Sequence, residues 1–571
     1  MAPAVVALVL AGATGFALAQ QAAPQPKAAK KSELKGDDIP ATRLGSYLAG
    51  RFAQIHGSGQ PAIDFYRAVL KDEPGNVDVA RRLLALLIAE GKMDDALGVA
   101  KSLNGKSGDA EDDDGNLAQF MLAMNDMKAG RFAEADKTLA AFPKTGLATL
   151  TGPLLRAWAQ AGEKKFDDAL KTLSSDDQNQ GFAILFGAHA AAVNELAGRA
   201  DAAEKGYLSS MEGRQSANLR LVQLLGNFYE RTSKPDQAQK LYDDYMADHP
   251  DSTMLTAAMQ RVEKKRTPKP EIGSAGDGAA EALFSLAGSV QQQSSLQSII
   301  FARLAIYLKP DFYIAKLLIA ETLEGDRRFD DAIAIYRNVA NDSNYAWAAQ
   351  LRIADDLDQL DRTDAAIAEI KQMSDKETKR SDALIRMGDI LRHHNRYPEA
   401  AKAYADAKTR IGTLKKENWS LLYASGIANE RIKNWDQAEA DFLKALEFEP
   451  EQPYVLNYLG YSWIEMGKNV DKAKEMIELA VKKRPRDGYI VDSLGWVMYR
   501  MGDLPNAVRT MERAVTLRPE DPTINDHLGD VYWKVNRRDE AVFQWKRALS
   551  LDPEEEDVPK IQKKIKEGLN S

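Results

Sequence analysis

Along most of the chain the apolar positions are organised around small residues that return at a fixed interval. Near the carboxyl terminus Gly460, Gly495 and Gly529 each follow a Leu. Ala473, Ala507 and Ala541 come 12 or 13 residues later, then Ala480, Ala514 and Ala548, and Pro485, Pro519 and Pro553 close the set. The interval is 34 or 35 residues. The same frame runs back through Gly426, Ala438 and Pro450, through Gly388 and Ala400, and through Ala320 and Ala332. It continues in Gly50 with Ala62, Ala123 with Ala135, Ala157 with Ala169, and Gly226 with Ala238. A small residue at position 8 and another at position 20 lets two antiparallel helices approach closely, and a proline near position 32 stops the second helix. The pattern predicts a helix–turn–helix unit repeated along the chain.

A 34-residue ruler laid on these anchors gives fourteen units, beginning at residues 43, 77, 116, 150, 184, 219, 279, 313, 347, 381, 419, 453, 488 and 522. Twelve place Ala at position 20; Ser298 and the displaced Ala473 are the exceptions. This pattern resembles the tetratricopeptide repeat over essentially the whole chain after residue 42. The resemblance implies an all-α fold, a right-handed superhelix (α-solenoid) of about fourteen helix-turn-helix repeats in two lobes. Lobe 1 is expected over residues 43–252 with six repeats and lobe 2 over 279–555 with eight. Between them, 253–278 reads as a helix end and a linker rich in Pro, Gly and polar residues, where a hinge is placed; helix packing can still bridge the seam, so two lobes need not mean two independently moving domains. Residues 556–571 are expected to cap the array, because Val558, Ile561, Ile565 and Leu569 recur at helical spacing with Lys560, Lys563, Lys564 and Lys566 left to face water.

The amino terminus has a different pattern. Ala4 to Ala19 is an uncharged apolar run ending in Ala17-Leu18-Ala19, and residues 1–19 read as a signal peptide, although no positive charge precedes the run. Residues 20–42 read as a disordered mature start. The expected location is therefore the periplasm or cell envelope. The chain has no cysteine, so it lacks the residue a lipoprotein modifies, and disulfides and thiolate metal sites are excluded.

With 76 basic and 84 acidic residues the net charge is -8, which disfavours nucleic acid as a partner. The six histidines are scattered, none in the H-E-x-x-H spacing, and the adjacent His393 and His394 point to different helical faces. Gly105-Lys106-Ser107 lacks the first glycine of a phosphate loop, Glu111 to Gly115 lacks the ligand spacing of a calcium loop, and Lys264-Lys265-Arg266 reads as a solvated helix end. With the repeats consuming nearly all of the chain, no room remains for a catalytic domain. The expectation is a non-enzyme with no catalytic residues, no cofactor and no metal.

In tetratricopeptide arrays positions 2, 5, 9, 12 and 13 line the concave face. On the last three repeats the resemblance selects Tyr454, Asn457 and Tyr461, then Tyr489, Asp492, Trp496, Tyr499 and Arg500, then Asp526, Asp530 and Trp533. Residues 419–555 hold 16 of the 44 aromatics and six of the eight Trp, so the groove is aromatic with acidic flanks. No unit has the Lys and Asn pair that grips a chaperone's acidic tail. The segments 457–463 and 492–502 are similar to a group of large proteobacterial envelope repeat proteins, which includes the lipoprotein adaptor of a periplasmic carboxyl-terminal processing protease. That resemblance implies a non-catalytic scaffold or adaptor with protein partners, among them such a protease and its cell-wall hydrolase substrates, and no membrane span after signal cleavage. The alternative is an accessory protein that stacks cell-wall glycan on the aromatic groove.

Overall fold

The computed structural model describes residues 42–104, 116–142, 148–174, 182–212, 218–249 and 252–569. The expected signal peptide and all but residue 42 of the expected disordered start, the Gly105-Lys106-Ser107 segment and the acidic 111–115 stretch lie outside the described residues. Among the described residues there are 30 α-helices and no strand. Twenty-eight of the helices form fourteen pairs in the register of the ruler, from Arg43–Ile55 with Gly59–Asp72 to Pro522–Lys534 with Arg538–Ser550. Two helices stand outside the pairs, Thr256–Glu263 and Val558–Glu567.

Three positions explain why each unit folds as it does. Position 20 is completely buried in all fourteen pairs, Ser298 and Ala473 included. Ala473 is displaced because the turn before it holds one extra residue, with Gly467 and Asn469 both at positive φ. Position 8 exchanges size with position 24. A Cβ on Gly529 would lie 2.5 Å from the Trp545 ring, and one on Gly426 would lie 2.5 Å from Phe442. Where position 8 is instead Leu84 or Leu286, position 24 shrinks to Ala100 or Ala302, and all four are buried. Position 15 turns the chain: in thirteen of the fourteen turns it has positive φ, supplied by six Gly and by residues such as Asn395, Lys433 and Asn536. The next N–H then reaches back to the first helix, as Asn434 N does to Asn429 O at 2.9 Å.

The chain divides into two compact units, residues 1–369 and 370–571. The division does not fall at the expected linker. Within the first unit, Ser274 caps a helix, Ala275–Val290, that starts four residues before the ruler's seventh unit. This helix packs on the first helices of repeats 4 and 5, and its partner Ser295–Leu308 packs on those of repeats 2 and 3. Gly278 lies against Trp158, Phe301 meets Phe120 edge-on at 5.9 Å, and Tyr307 donates to Asn125 at 3.0 Å. Arg220, buried in repeat 6, forks onto Glu281 of repeat 7 at 2.8 and 2.7 Å and also reaches Glu271 at 3.0 Å. Asn227 holds Lys269 O at 2.9 Å. The polar segment is thus pinned from both sides and does not separate two lobes; repeat 7 fills the first-helix face of repeats 2 to 5.

Candidate binding groove

In the second unit the first helices of repeats 11 to 14 are Trp419–Arg431, Pro453–Glu465, Gly488–Arg500 and Pro522–Lys534. Three of their starts are fixed by Gln452, Asp487 and Asp521, whose side chains accept from the first free N–H groups, and by Pro453 and Pro522 in the first turn. Stacked side by side, the four helices bring the selected residues into one strip. Tyr423 and Tyr458 meet edge-on at 6.1 Å, and the Tyr458 hydroxyl donates to Glu430 at 3.2 Å. Tyr461 is half-buried next, and burial, with the nearby Glu465 and Asp492, pushes its hydroxyl well above the ordinary tyrosine value. The Asn457 carbonyl oxygen is enclosed without a hydrogen-bond partner.

Repeat 13 supplies the centre. The Trp496 indole donates to Glu465 at 2.6 Å, Arg500 donates to the same carboxylate at 3.0 Å, and the Tyr499 ring lies 5.0 Å from that of Trp496. One face of Trp496 stacks on His527 at 4.1 Å. His527 in turn pairs with the buried Asp492 at 3.0 Å. Burial opposes the imidazolium, but Asp492, with Asp526 and Asp530 behind it, outweighs that and holds His527 above its ordinary pKa. At the outer end Tyr454 and Tyr489 lie under Arg484 and Arg518, at 5.8 and 5.2 Å.

Repeat 14 is covered. Lys564 donates to Asp526 at 2.6 Å and to Asp530 at 2.8 Å, Trp545 adds an indole N–H to Asp530 at 2.9 Å, and Gly568 lies on the Trp533 ring. Val558–Glu567 therefore takes the place of a fifteenth first helix. Helical spacing alone sends Lys564 to water, and the structure instead draws it between two carboxylates. Asp492, Asp526 and Asp530 are spent on internal pairs, whereas Tyr461, Trp496, Tyr499 and Arg500 keep part of their surface free. His527 is a groove residue that the repeat positions do not select. Its signal is nonetheless in the sequence: it sits at position 6, next to position 5 of the preceding repeat, where Asp492 stands.

Paired helices with small residues at positions 8 and 20, a left-handed turn at 15 and a strip of first-helix side chains define an α-solenoid scaffold for protein–protein contact. Tetratricopeptide repeat family models match residues 351–414 and 523–555, within the array of paired helices. The chain is 29% identical over 162 residues to the TPR repeat-containing protein PA4667 of Pseudomonas aeruginosa. That match spans 28% of this chain and 27% of the relative. Among solved structures, the APC/C hetero-tetramer Cut9-Hcn1 aligns over 93% of this chain and 97% of its own at 14% identity and a TM-score of 0.37. A tetratricopeptide repeat protein from Parabacteroides merdae aligns over 45% of this chain and 99% of its own at 17% identity and a TM-score of 0.38.

Proposed function

We propose that this chain is an exported scaffold of the bacterial cell envelope that holds partner proteins on the first-helix strip of repeats 11 to 13, and that it brings substrates to a periplasmic carboxyl-terminal processing protease. The observation that carries the site is one of occupancy. In the first unit the first-helix face of repeats 2 to 5 is filled by repeat 7, and repeat 14 is covered by the C-terminal helix. The strip around Tyr461, Trp496, Tyr499 and Arg500 is left with aromatic surface of the kind that dominates protein recognition. The envelope location rests on the apolar run 4–19, and the protease on the sequence resemblance of 457–463 and 492–502. Glycan stacking is the weaker reading, because His527 already takes one face of Trp496.

Photo-crosslinking in cells from a reactive residue placed at Tyr499 identifies the partner. A Trp496→Ala, Tyr499→Ala chain is expected to lose capture of that partner at least roughly thirtyfold, since buried aromatic anchors are commonly worth about 2 kcal/mol or more. Trp496 also supports His527, so binding is compared per folded molecule. Unchanged capture, or amino-terminal sequencing that finds Met1 on a cytoplasmic protein, overturns the reading.

A further inference from the structure

We propose that the helix Arg43–Ile55 pairs with the same helix of a second copy of this chain. Leu44, Leu48, Phe52 and Ile55 are 66, 56, 53 and 71% exposed. Spaced four, four and three residues apart, they form one apolar stripe on the outer side of the first repeat. The other exposed large apolar residues are single or scattered, as on any surface. A repeat array must close both ends. Its C-terminal end is closed by Val558–Glu567 through Ile561, and among the described residues no helix precedes Thr42 to do the same.

The chain itself narrows what can cover the stripe. With residues 1–19 removed, as the proposed function has it, the remaining residues 20–41 hold only two large aliphatic side chains, Leu34 and Ile39, among four Lys, too few to match four large apolar ones. A second copy matches them one for one. An antiparallel pair about a two-fold axis near Ala49 sets Leu44 against the partner's Ile55 and Leu48 against the partner's Phe52. The helix carries no acidic residue; of its two cations, Arg43 leans away toward Glu73 at 3.4 Å and Arg51, on the flank of the stripe, hydrogen-bonds Tyr66. At roughly 100 Å² a side chain, the stripe offers about 400 Å² per copy and about 800 Å² in all, in the range of weak, transient interfaces. The pairing is therefore concentration-dependent.

Sedimentation of the purified protein across micromolar concentrations is expected to shift from 63.0 kDa toward twice that mass. A Leu48→Asp, Phe52→Asp chain should raise the dissociation constant at least about a hundredfold while keeping its helical circular dichroism. The chain has no cysteine, so a second test is clean: an equal mixture of Leu48→Cys and Phe52→Cys chains should oxidise to a linked dimer faster than either alone, and this decides the matter if the Asp variant fails to fold. A monomer at every concentration overturns the pairing, whether residues 1–19 or a lipid vesicle cover the stripe or it stays bare. A dimer that the Asp variant leaves intact, or that does not favour the 48–52 crosslink, overturns it as well.

Discussion

Lys433 occupies a backbone conformation that suits glycine. Its φ of 63° places Cβ against its own carbonyl, a cost of roughly 1 kcal/mol that glycine does not bear. The position is kept left-handed by the reach of Asn434 N to Asn429 O, so relaxation is not open to it. Lys433→Gly is expected to raise stability by about 0.5 to 1 kcal/mol in urea unfolding, whereas Lys433→Val should lower it. A different kind of constraint acts on His189, which accepts the Trp158 indole N–H at 3.2 Å in the core of the first unit. Burial pushes its pKa down to about 4. A lowered base is protonated more easily unfolded than folded, so its contribution is present above about pH 6.5 and is lost as pH falls toward 4. That loss amounts to roughly 3 kcal/mol at 1.36 kcal/mol per pH unit. His527 has the opposite sign: held above its ordinary value, it favours the second unit below about pH 6.5 and loses this as pH rises. Unfolding at about pH 7 and pH 4.5, followed by fluorescence in a chain whose other seven Trp are replaced by Phe, should show the His189 loss. His189→Gln, an acceptor that does not titrate, should remove most of it.

Among the elements, the C-terminal helix is held by few contacts. Ile561 is its one fully buried apolar side chain, with Ile565 and Leu569 partly buried, and Lys564 provides the polar anchor. Lys564→Ala leaves Asp526 and Asp530 facing each other inside the fold, where burial and the neighbouring Asp526 already push the Asp530 carboxyl up. The variant is expected to lose about 2 to 4 kcal/mol at pH 7 and less near pH 4, where the carboxyls take up protons; amide exchange confined to repeat 14 and the helix would report it. This element also marks how far the sequence could be read. The helix pairs, their register and the cap were legible because Ala at position 20 and the Val558-Ile561-Ile565 spacing are local signals. The role of Lys564 was not, because its partners lie 34 and 38 residues away and a lysine on an amphipathic helix ordinarily faces water. The groove residues were legible as a strip, but not which of them are spent internally: Asp492 and Asn457 share position 5, and only the arrival of His527 from the next repeat separates a paired carboxylate from an enclosed, unpartnered amide oxygen. What bridges the linker was not legible for a related reason. Pro and Gly in 267–278 report a break in helix, and cannot report that Asn227 will grip Lys269 or that Arg220 will bridge to Glu271 and Glu281.

For the molecule as a whole, the boundary at 369/370 rather than 278/279 decides which pieces can stand alone. A fragment beginning at Thr363, which keeps the helix Thr363–Lys376 intact, is expected to be helical and to melt cooperatively. A fragment ending at residue 278 should aggregate or melt early. It bares the faces that repeat 7 covers and strands Arg220 without Glu281, a break worth about 3 to 5 kcal/mol for a buried pair. Circular dichroism melts of the two pieces check this; a stable 1–278 fragment would restore the hinge. The same closure sets an order of events during synthesis. In an ordinary repeat array each unit needs only its neighbour, and folding follows the order in which the chain emerges. Here Arg303 bonds to the carbonyl of Ala89 and Arg328 to Glu90, contacts 214 and 238 residues apart. Repeats 2 to 5 emerge early yet keep an apolar face open until residues 275–308 arrive, a wait of roughly five to forty seconds at about 5–20 residues per second, longest for repeat 2. The earliest part of the chain to be made is thus the part that finishes late, and for that interval it depends on whatever keeps unfinished surfaces apart.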